Sequence, residues 1–524
     1  MTSRPDIHLE YPPAEDQLEY DEVAPNASAM IESMRAYGYT LPAAIADLID
    51  NSIAAGCSTV WLRFNWSGAD SWVTVTDDGE GMTERELRDA MRLGSRNPRM
   101  EREPKDLGRF GLGLKTASLS QCRRLTVASR TAPGQESVRR WDLDYLSRRE
   151  IHGWHLLRSP YRGSEERAAV PSDLESGTVV LWEVLDRVVG DAGKDDRKLH
   201  QHFLSLVGDV EAHLAMVFHR FIGRSRGRLR ILINEKEVVA WDPFLESHPA
   251  TQSTPEEIID LPGHSHPIRL KGFVLPHKDR LGEIEHQKAS GPAGWNAQQG
   301  FYLYRNDRLI VPGSWLGLGS PRPWTKEEHY KLARIRLDIP NSMDHEWHLD
   351  VKKSSAQPPP LIRDRLTALA QTIRLDARAV YAHRGQYRQR TTREELRRPW
   401  KVARHAGAVS YRIDRAHPVI GALIGSLPRE LRADIEAMLK ILEETVPVEQ
   451  IWLDSAENSD GFARPFRGMT ASQRRHLIEL SYAAIRRNRG IGHSEAISLL
   501  LSCEEFADEE SRSILETLPS TDAQ

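Results

Sequence analysis

The sequence predicts an α/β protein: an α/β layer domain, a second α/β domain and a helical C-terminal region. Three observations predict it. From Ile31 to about Ser225, helical periodicity alternates with strand-like runs such as WLRFNW (Trp61–Trp66) and WVTVT (Trp72–Thr76), whose β-branched and aromatic content suits strands. From Arg226 to about Leu375, further strand candidates (RLRILINEKEVVAW, FYLYRNDRLIV, ARIRLDI) precede a helical pattern that begins after the proline run Pro358–Pro360. From Pro418 to Gln524 the pattern is mainly helical and ends in an acidic tail. The division that follows is an N-terminal arm over residues 1–28, a first domain over 29–225, a second over 226–375, a basic linker over 376–415 and a helical region over 416–524.

Composition bounds the function. With 524 residues, the chain exceeds what one hydrophobic core organises, so several domains are expected. The 40 % hydrophobic and 28 % charged fractions are those of a folded globular protein. No apolar run approaches the roughly 20 residues needed to span a bilayer, and the opening MTSRPDIHLEYPPAED lacks the basic and apolar stretches of a signal peptide, so a cytoplasmic protein is expected. Cys57, Cys122 and Cys503 are too far apart for a disulfide framework or a zinc-site spacing, and read as core or incidental thiols. The net charge of −4 leaves nucleic-acid contact to local basic patches, of which residues 376–415 are the most evident. Such a stretch is more often a solvated helix or linker. No metal-rich nuclease motif stands out.

Three segments carry chemistry. In Thr40–Gly56, Ile45, Leu48, Ile49, Ser52 and Ile53 repeat at helical spacing, with Thr40 or Pro42 suited to start the helix and Gly56 to end it. Asp47, Asp50 and Asn51 then share the opposite face, where a carboxylate and an amide four residues apart could hold a water and a hard cation such as Mg²⁺. Taken alone, this is an ordinary surface helix. The second segment, DDGEGM (Asp77–Met82), follows a strand and precedes the capping-box pattern Thr83–Glu86. A strand ending in Asp beside Gly79 and Gly81 can present a carboxylate to a ligand amine while the backbone approaches closely, although a plain glycine turn reads the same way. The third, GRFGLGLKTAS (Gly108–Ser118), sets Gly108, Gly111 and Gly113 next to an apolar helix, leaving backbone N–H groups bare for phosphate. It is neither a Walker A loop, since Leu114 separates Gly113 from Lys115, nor a dinucleotide fingerprint. The polar stretch RLGSRNPRMEREPKDL between the last two is a candidate flap.

In this order the three segments resemble the N-box, D-x-G-x-G and G-x-x-G-x-G motifs of the GHKL ATPases, and SGTVVLW (Ser176–Trp182) resembles the strand that carries their adenine-supporting Thr. The resemblance implies a Bergerat-type α/β sandwich ATPase domain that binds ATP and Mg²⁺. It puts Asp47 at the position of the general base, Asn51 at the Mg²⁺ ligand, and Asp77, supported by Thr178, at the adenine amino group. Gly79, Gly81 and Met82 would line the base pocket; Gly108, Arg109, Phe110, Gly111, Leu112, Gly113, Leu114, Lys115 and Thr116 would hold the phosphates. Hydrolysing members of the family usually carry Glu where this chain has Asp47, which implies slow turnover or binding with little hydrolysis.

FYLYRNDRLIV (Phe301–Val311) further resembles a strand of MutL and MORC proteins, and HLDVKKSSAQPPP (His348–Pro360) their transducer loop, so that Lys352 or Lys353 would reach the γ-phosphate from an S5-like transducer domain. This closer resemblance covers residues 30–375 and implies an ATP-dependent homodimer closing as a clamp on DNA, in a setting of restriction or phage defence. Two other classes are weighed. A nucleotide-gated chaperone-like or adaptor protein would act on a protein partner through the C-terminal region. A histidine kinase would need a helical acceptor segment before the N-box, where only about thirty-five residues stand.

Overall fold

A computed structural model of the chain describes residues 25–36, 38–93, 113–151, 153–261, 266–319, 322–348, 356–382, 398–405, 408–448, 450–451, 469–506 and 509–519. Two compact units divide the chain, residues 1–386 and 387–524. Of the arm predicted over residues 1–28, all but the last four residues lie outside the described ones.

The first unit opens with α1 (Ala27–Arg35) and α2 (Leu41–Ala54). Thr40 is the N-cap of α2, Pro42 sits in its first turn, and Gly56 follows the helix in the left-handed region at φ +70°. Strands β1 (Thr59–Asn65) and β2 (Trp72–Asp77) come next, then α3 (Glu84–Met91), whose Thr83–Glu86 capping box forms as the sequence predicts. Helix α4 (Gly113–Leu119), strands β3 (Arg124–Arg130) and β4 (Ser137–Asp142), the short helices α5 (Leu143–Leu146) and α6 (Glu165–Ala168), and β5 (Gly177–Glu183) complete the sequence of elements up to residue 183.

Alternation along these strands separates two faces of the sheet. Val60, Leu62, Val75, Leu125, Val127, Val180 and Trp182 point to one face and join Ile45, Leu48 and Ile49 of α2 in the main core. Ala128 and Val179 point the other way, into a small cluster with Val170. Helix α2 packs against α4 and against α7 (Arg197–Val217), so it is covered on more than the sheet side. This corrects the amphipathic reading: Asp47 and Asp50 are buried, at 7 % and 1 % exposure, and only Asn51 of the three faces solvent.

Helix α7 and the turn of helix α8 (His219–Ile222) lead into β6 (Arg230–Ile233) and β7 (Lys236–Glu237). The sequence division placed β6 and β7 in the second domain. Instead β6 runs parallel to β1, and the first sheet has the order β4-β3-β5-β2-β1-β6-β7, because Ile231 and Ile233 enter the main core beside Val60 and Leu62.

The second sheet holds β8 (Gln252–Ser253), β9 (Glu257–Ile259), β10 (Ile268–Val274), β11 (Gly300–Arg305), β12 (Arg308–Ser314) and β13 (Ala333–Ile339). Its path is β12-β11-β13-β10-β8, with β9 also pairing β10; β11 and β13 are parallel. FYLYRNDRLIV, read as one strand, is a hairpin. Asn306 and Asp307 turn it with φ of +48° and +64°, the two positive angles of a type I′ turn. After the short helices α9 (Glu283–Ala289) and α10 (Gly294–Ala297), the predicted post-proline helix is α11 (Pro360–Ala382), which lays Ile362, Leu366, Ala370 and Ile373 on β10 and β13. Among the described residues no helix is long and apolar enough to cross a membrane.

In the second unit, the stretch expected as a linker contains a hairpin, β14 (Trp400–His405) with β15 (Ala408–Ile413). Helices α12 (Pro418–Ser426) and α13 (Arg429–Glu444) follow, then helices Ala471–Arg489, His493–Leu501 and Glu509–Glu516. Glu443 of α13 accepts the Ile413 N–H at 2.8 Å and pairs with Arg412 and Arg415, fastening the hairpin to the helix.

Ile49, fully buried at the centre of α2, tests this packing. Ile49→Ala should destabilise the first unit by about 2–5 kcal/mol in urea unfolding followed by circular dichroism. A loss below about 1 kcal/mol would mean that α2 is not enclosed as described.

Candidate functional site

The site is built on α2, where three polar residues within two turns meet three different surroundings. Asp47 accepts a hydrogen bond from the Tyr39 hydroxyl at 3.0 Å through Oδ2. The same oxygen faces the start of α4, since a Cβ on Gly113 would lie 3.8 Å from it. Asp50 meets Arg308, the first residue after the β11–β12 turn, with Nε to Oδ1 at 2.8 Å. Arg308 is itself buried and its guanidinium lies over the Phe218 ring, 4.8 Å from the centroid. Asn51, one position on, is exposed.

A second group gathers where β2 ends. Asp77 lies opposite Thr178 of β5 in the antiparallel register. Its carboxylate accepts the Ser52 hydroxyl at 2.8 Å and the Gly79 N–H at 3.0 Å. Burial pushes the carboxyl above its usual range, the bonds from Ser52, Gly79 and the Thr178 main chain oppose that, and neighbouring Asp78 adds to it. Behind it, Thr178 Oγ1 and Ser129 Oγ are 2.8 Å apart, and Ser129 Oγ accepts the Met82 N–H at 2.8 Å.

The loop through Gly79 and Gly81 is pressed between α2 and β3. A Cβ on Gly79 would come within 2.9 Å of Ala55, and one on Gly81, at φ +71°, within 2.0 Å of the Arg130 carbonyl oxygen. Asp78 secures the loop by accepting the Ser58 and Thr59 N–H groups at 2.7 and 2.8 Å. Both glycines are therefore demanded by backbone packing at this point.

Helix α4 brings in Gly113, Leu114, Lys115 and Thr116. Leu114 packs on the main core and Thr116 is buried. Lys115, grouped with the phosphate loop in the sequence, donates from Nζ to the Ala90 and Arg92 carbonyls at 2.8 Å each, which fastens the end of α3 to α4. Gly108, Arg109, Phe110, Gly111 and Leu112 lie outside the described residues, as do most of the candidate flap and both Lys352 and Lys353.

The structure thus joins Asp77, Gly79, Met82 and Thr178 in one network, and sets Asp47 beside Gly113 with Asn51 one turn further along α2. It adds Ser52, Ser129, Tyr39 and Arg308, which sequence reasoning missed. Ser52 left a trace, because a hydroxyl inside an apolar helical stripe needs a partner. Arg308 lies in the segment FYLYRNDRLIV but nothing there points to Asp50, and nothing local marks Ser129 or Tyr39.

Two predictions test the electrostatics. Arg308→Met leaves Asp50 buried without its cation and should cost about 3–5 kcal/mol of first-unit stability, with part recovered in Arg308→Met/Asp50→Leu; equal losses in the single and double variants would refute the pairing. Near this pair, burial, reinforced by the Arg308 charge and opposed by Asp50, holds His213 down to about 4. A folded-state value below the unfolded one near 6.5 means that His213 supports the fold fully above about pH 6.5, and that this support is lost as pH falls toward 4. Melting midpoints should therefore drop less across that window in His213→Gln than in the wild type.

Residues 39–176 match the family described as Histidine kinase-, DNA gyrase B-, and HSP90-like ATPase. No curated protein matches the chain in sequence. The matched span opens at Tyr39, the donor to Asp47, and closes at Ser176, whose hydroxyl donates to the Gly79 carbonyl at 2.8 Å. The residues present fit the ligand of that family: a buried carboxylate at a strand end can accept from an adenine amine, and Asp47 with Asn51 offers the oxygen donors Mg²⁺ prefers. Residues 39–176 are accordingly an ATPase domain of the GHKL type, a class that binds ATP with Mg²⁺.

Proposed function

We propose that the chain is an ATP-gated clamp of the MutL and MORC kind, in which nucleotide binding at α2 is relayed to an S5-like second domain and closes a homodimer on DNA. The observation that carries this reading is the Asp50–Arg308 pair. It ties the helix bearing Asp47 and Asn51 to the hairpin of the second sheet, so a shift of α2 is felt there directly. Restriction or phage defence is the setting that the resemblance implies.

Each residue has a task in this reading. Asp47 takes the proton of the attacking water, with Tyr39 holding Oδ2 and thereby aiming the carboxylate. Asn51 holds Mg²⁺. Asp77 accepts the adenine amino group, kept in place by Ser52 and Gly79 and backed by Thr178 and Ser129. By the resemblance, Gly79, Gly81 and Met82 would line the base, residues 108–116 would surround the phosphates, and Lys352 or Lys353 would reach the terminal one. Bound ATP supplies the phosphoanhydride whose cleavage reopens the clamp. Aspartate is one methylene shorter than the usual Glu, so turnover is slow.

A second reading, a nucleotide-gated adaptor acting on a protein, draws support from α13, where Leu431, Met438, Ile441 and Leu442 are all exposed. The two readings part on DNA. Phosphate release and filter-retained ATP are measured with Mg²⁺, with and without duplex DNA. Asp47→Ala should keep ATP binding and lose roughly 10²- to 10⁴-fold in turnover, Asp77→Asn should lose binding, and DNA should stimulate the wild type. Unchanged turnover in Asp47→Ala would remove its role as base. Absence of DNA stimulation together with a co-purifying protein would replace the clamp by the adaptor.

A further inference from the structure

The second unit contains a cluster that the nucleotide chemistry does not use. His417 is the residue before α12, Cys503 follows the helix His493–Leu501, and Glu505 lies in the short 3-10 turn Glu504–Phe506. One ligand atom from each of the three lies within 4.8 Å of the others. His417 and Cys503 are at most 1 % exposed and Glu505 is half-buried. Around them stand Val419, Ala422, Leu500 and Phe506, members of the apolar core of this unit.

We propose that His417, Cys503 and Glu505 form a binding site for a divalent transition metal, with Zn²⁺ the best fit, which clips the start of α12 to the end of the helix His493–Leu501. Gathering an imidazole, a thiol and a carboxyl inside an apolar core carries a desolvation cost that a shared cation offsets. Sulfur, nitrogen and oxygen donors together suit Zn²⁺, whereas Mg²⁺ and Ca²⁺ take oxygen alone. Tetrahedral bonds of about 2.0–2.3 Å set neighbouring ligand atoms roughly 3.3–3.7 Å apart. His417 Nε2 and Glu505 Oε1 are already 3.5 Å apart. Cys503 Sγ, which donates to the Leu499 carbonyl at 3.3 Å, needs only a side-chain adjustment to complete three ligands; a water or the second Glu505 oxygen supplies the fourth. Binding releases the thiol proton to solvent, and the thiolate, neutral imidazole and carboxylate become the ligands. The clip closes a long stretch of chain between α12 and Cys503, which gives a metal more leverage on the fold than a short loop would.

The test uses the full-length protein, stripped with a chelator and titrated with Co²⁺ as a spectroscopic probe of the zinc site. One equivalent should produce a thiolate-to-cobalt charge-transfer band that Zn²⁺ abolishes. The band should persist in Cys57→Ser, vanish in Cys503→Ser, and require more than about tenfold more cobalt in His417→Gln. Zn²⁺ should also raise the melting midpoint of the wild type and not that of His417→Gln, a readout that stands if Cys503→Ser fails to fold. A wild type with no charge-transfer band, or a band that survives in Cys503→Ser, overturns the site and leaves an imidazole–carboxylate pair beside a thiol.

Discussion

The contact between Asp50 and Arg308 constrains everything built around α2. Two opposite charges removed from water must find each other or lose several kcal/mol, so the β11–β12 hairpin has essentially one seat on the first domain. That seat is shaped by apolar neighbours: Tyr302, Tyr304 and Leu309 of the hairpin belong to the same core as Ile45 and Ile49 of the helix. The charge pair adds direction to what would otherwise be a greasy, sliding contact. Around it, Arg220 pairs with Asp307 and Asp338 and lies over the Tyr304 ring at 3.5 Å, so α8 grips the hairpin from a second side.

Fixed in this way, α2 becomes a common wall. One surface carries Asp47 toward α4, a second carries Ser52 toward Asp77, and a third carries Asp50 toward the second sheet. A helix with partners on three sides cannot tilt without disturbing all of them, which is how chemistry at one side could be felt at another. The network behind Asp77 is equally interlocked. Ser129 on β3, Thr178 on β5 and the Met82 amide share hydrogen bonds, so the loop after β2 is held by two strands besides its own.

Much of this was legible in the sequence, and the legible parts have a common cause. Thr40 as a cap, the Thr83–Glu86 box and the strands Trp72–Asp77, Gly177–Glu183 and Ala333–Ile339 rest on local preferences that tertiary contacts reinforced. What stayed hidden depended on partners distant along the chain. Periodicity marks the apolar stripe of a helix but cannot tell a solvated polar face from one met by an arginine some 258 positions away, so Asp50 read as exposed. Lys115 is grouped with the phosphates by its place in GRFGLGLKTAS, and its bonds to the Ala90 and Arg92 carbonyls at the end of α3 could not be read from that segment. Asn306 and Asp307 were visible as residues, yet their turn was missed because FYLYRNDRLIV was read whole as one strand. His417 and Cys503 meet only through helix packing, beyond the reach of any spacing rule.

The return of the chain to the first sheet bears on how the protein can be dissected. A fragment ending at residue 225 would strip β6 from β1 and leave a row of main-chain donors and acceptors open along a strand of alternating apolar residues. Such an unprotected border invites pairing with another copy, so aggregation of a shortened ATPase piece would report the missing neighbour strand and not an intrinsic tendency to self-associate.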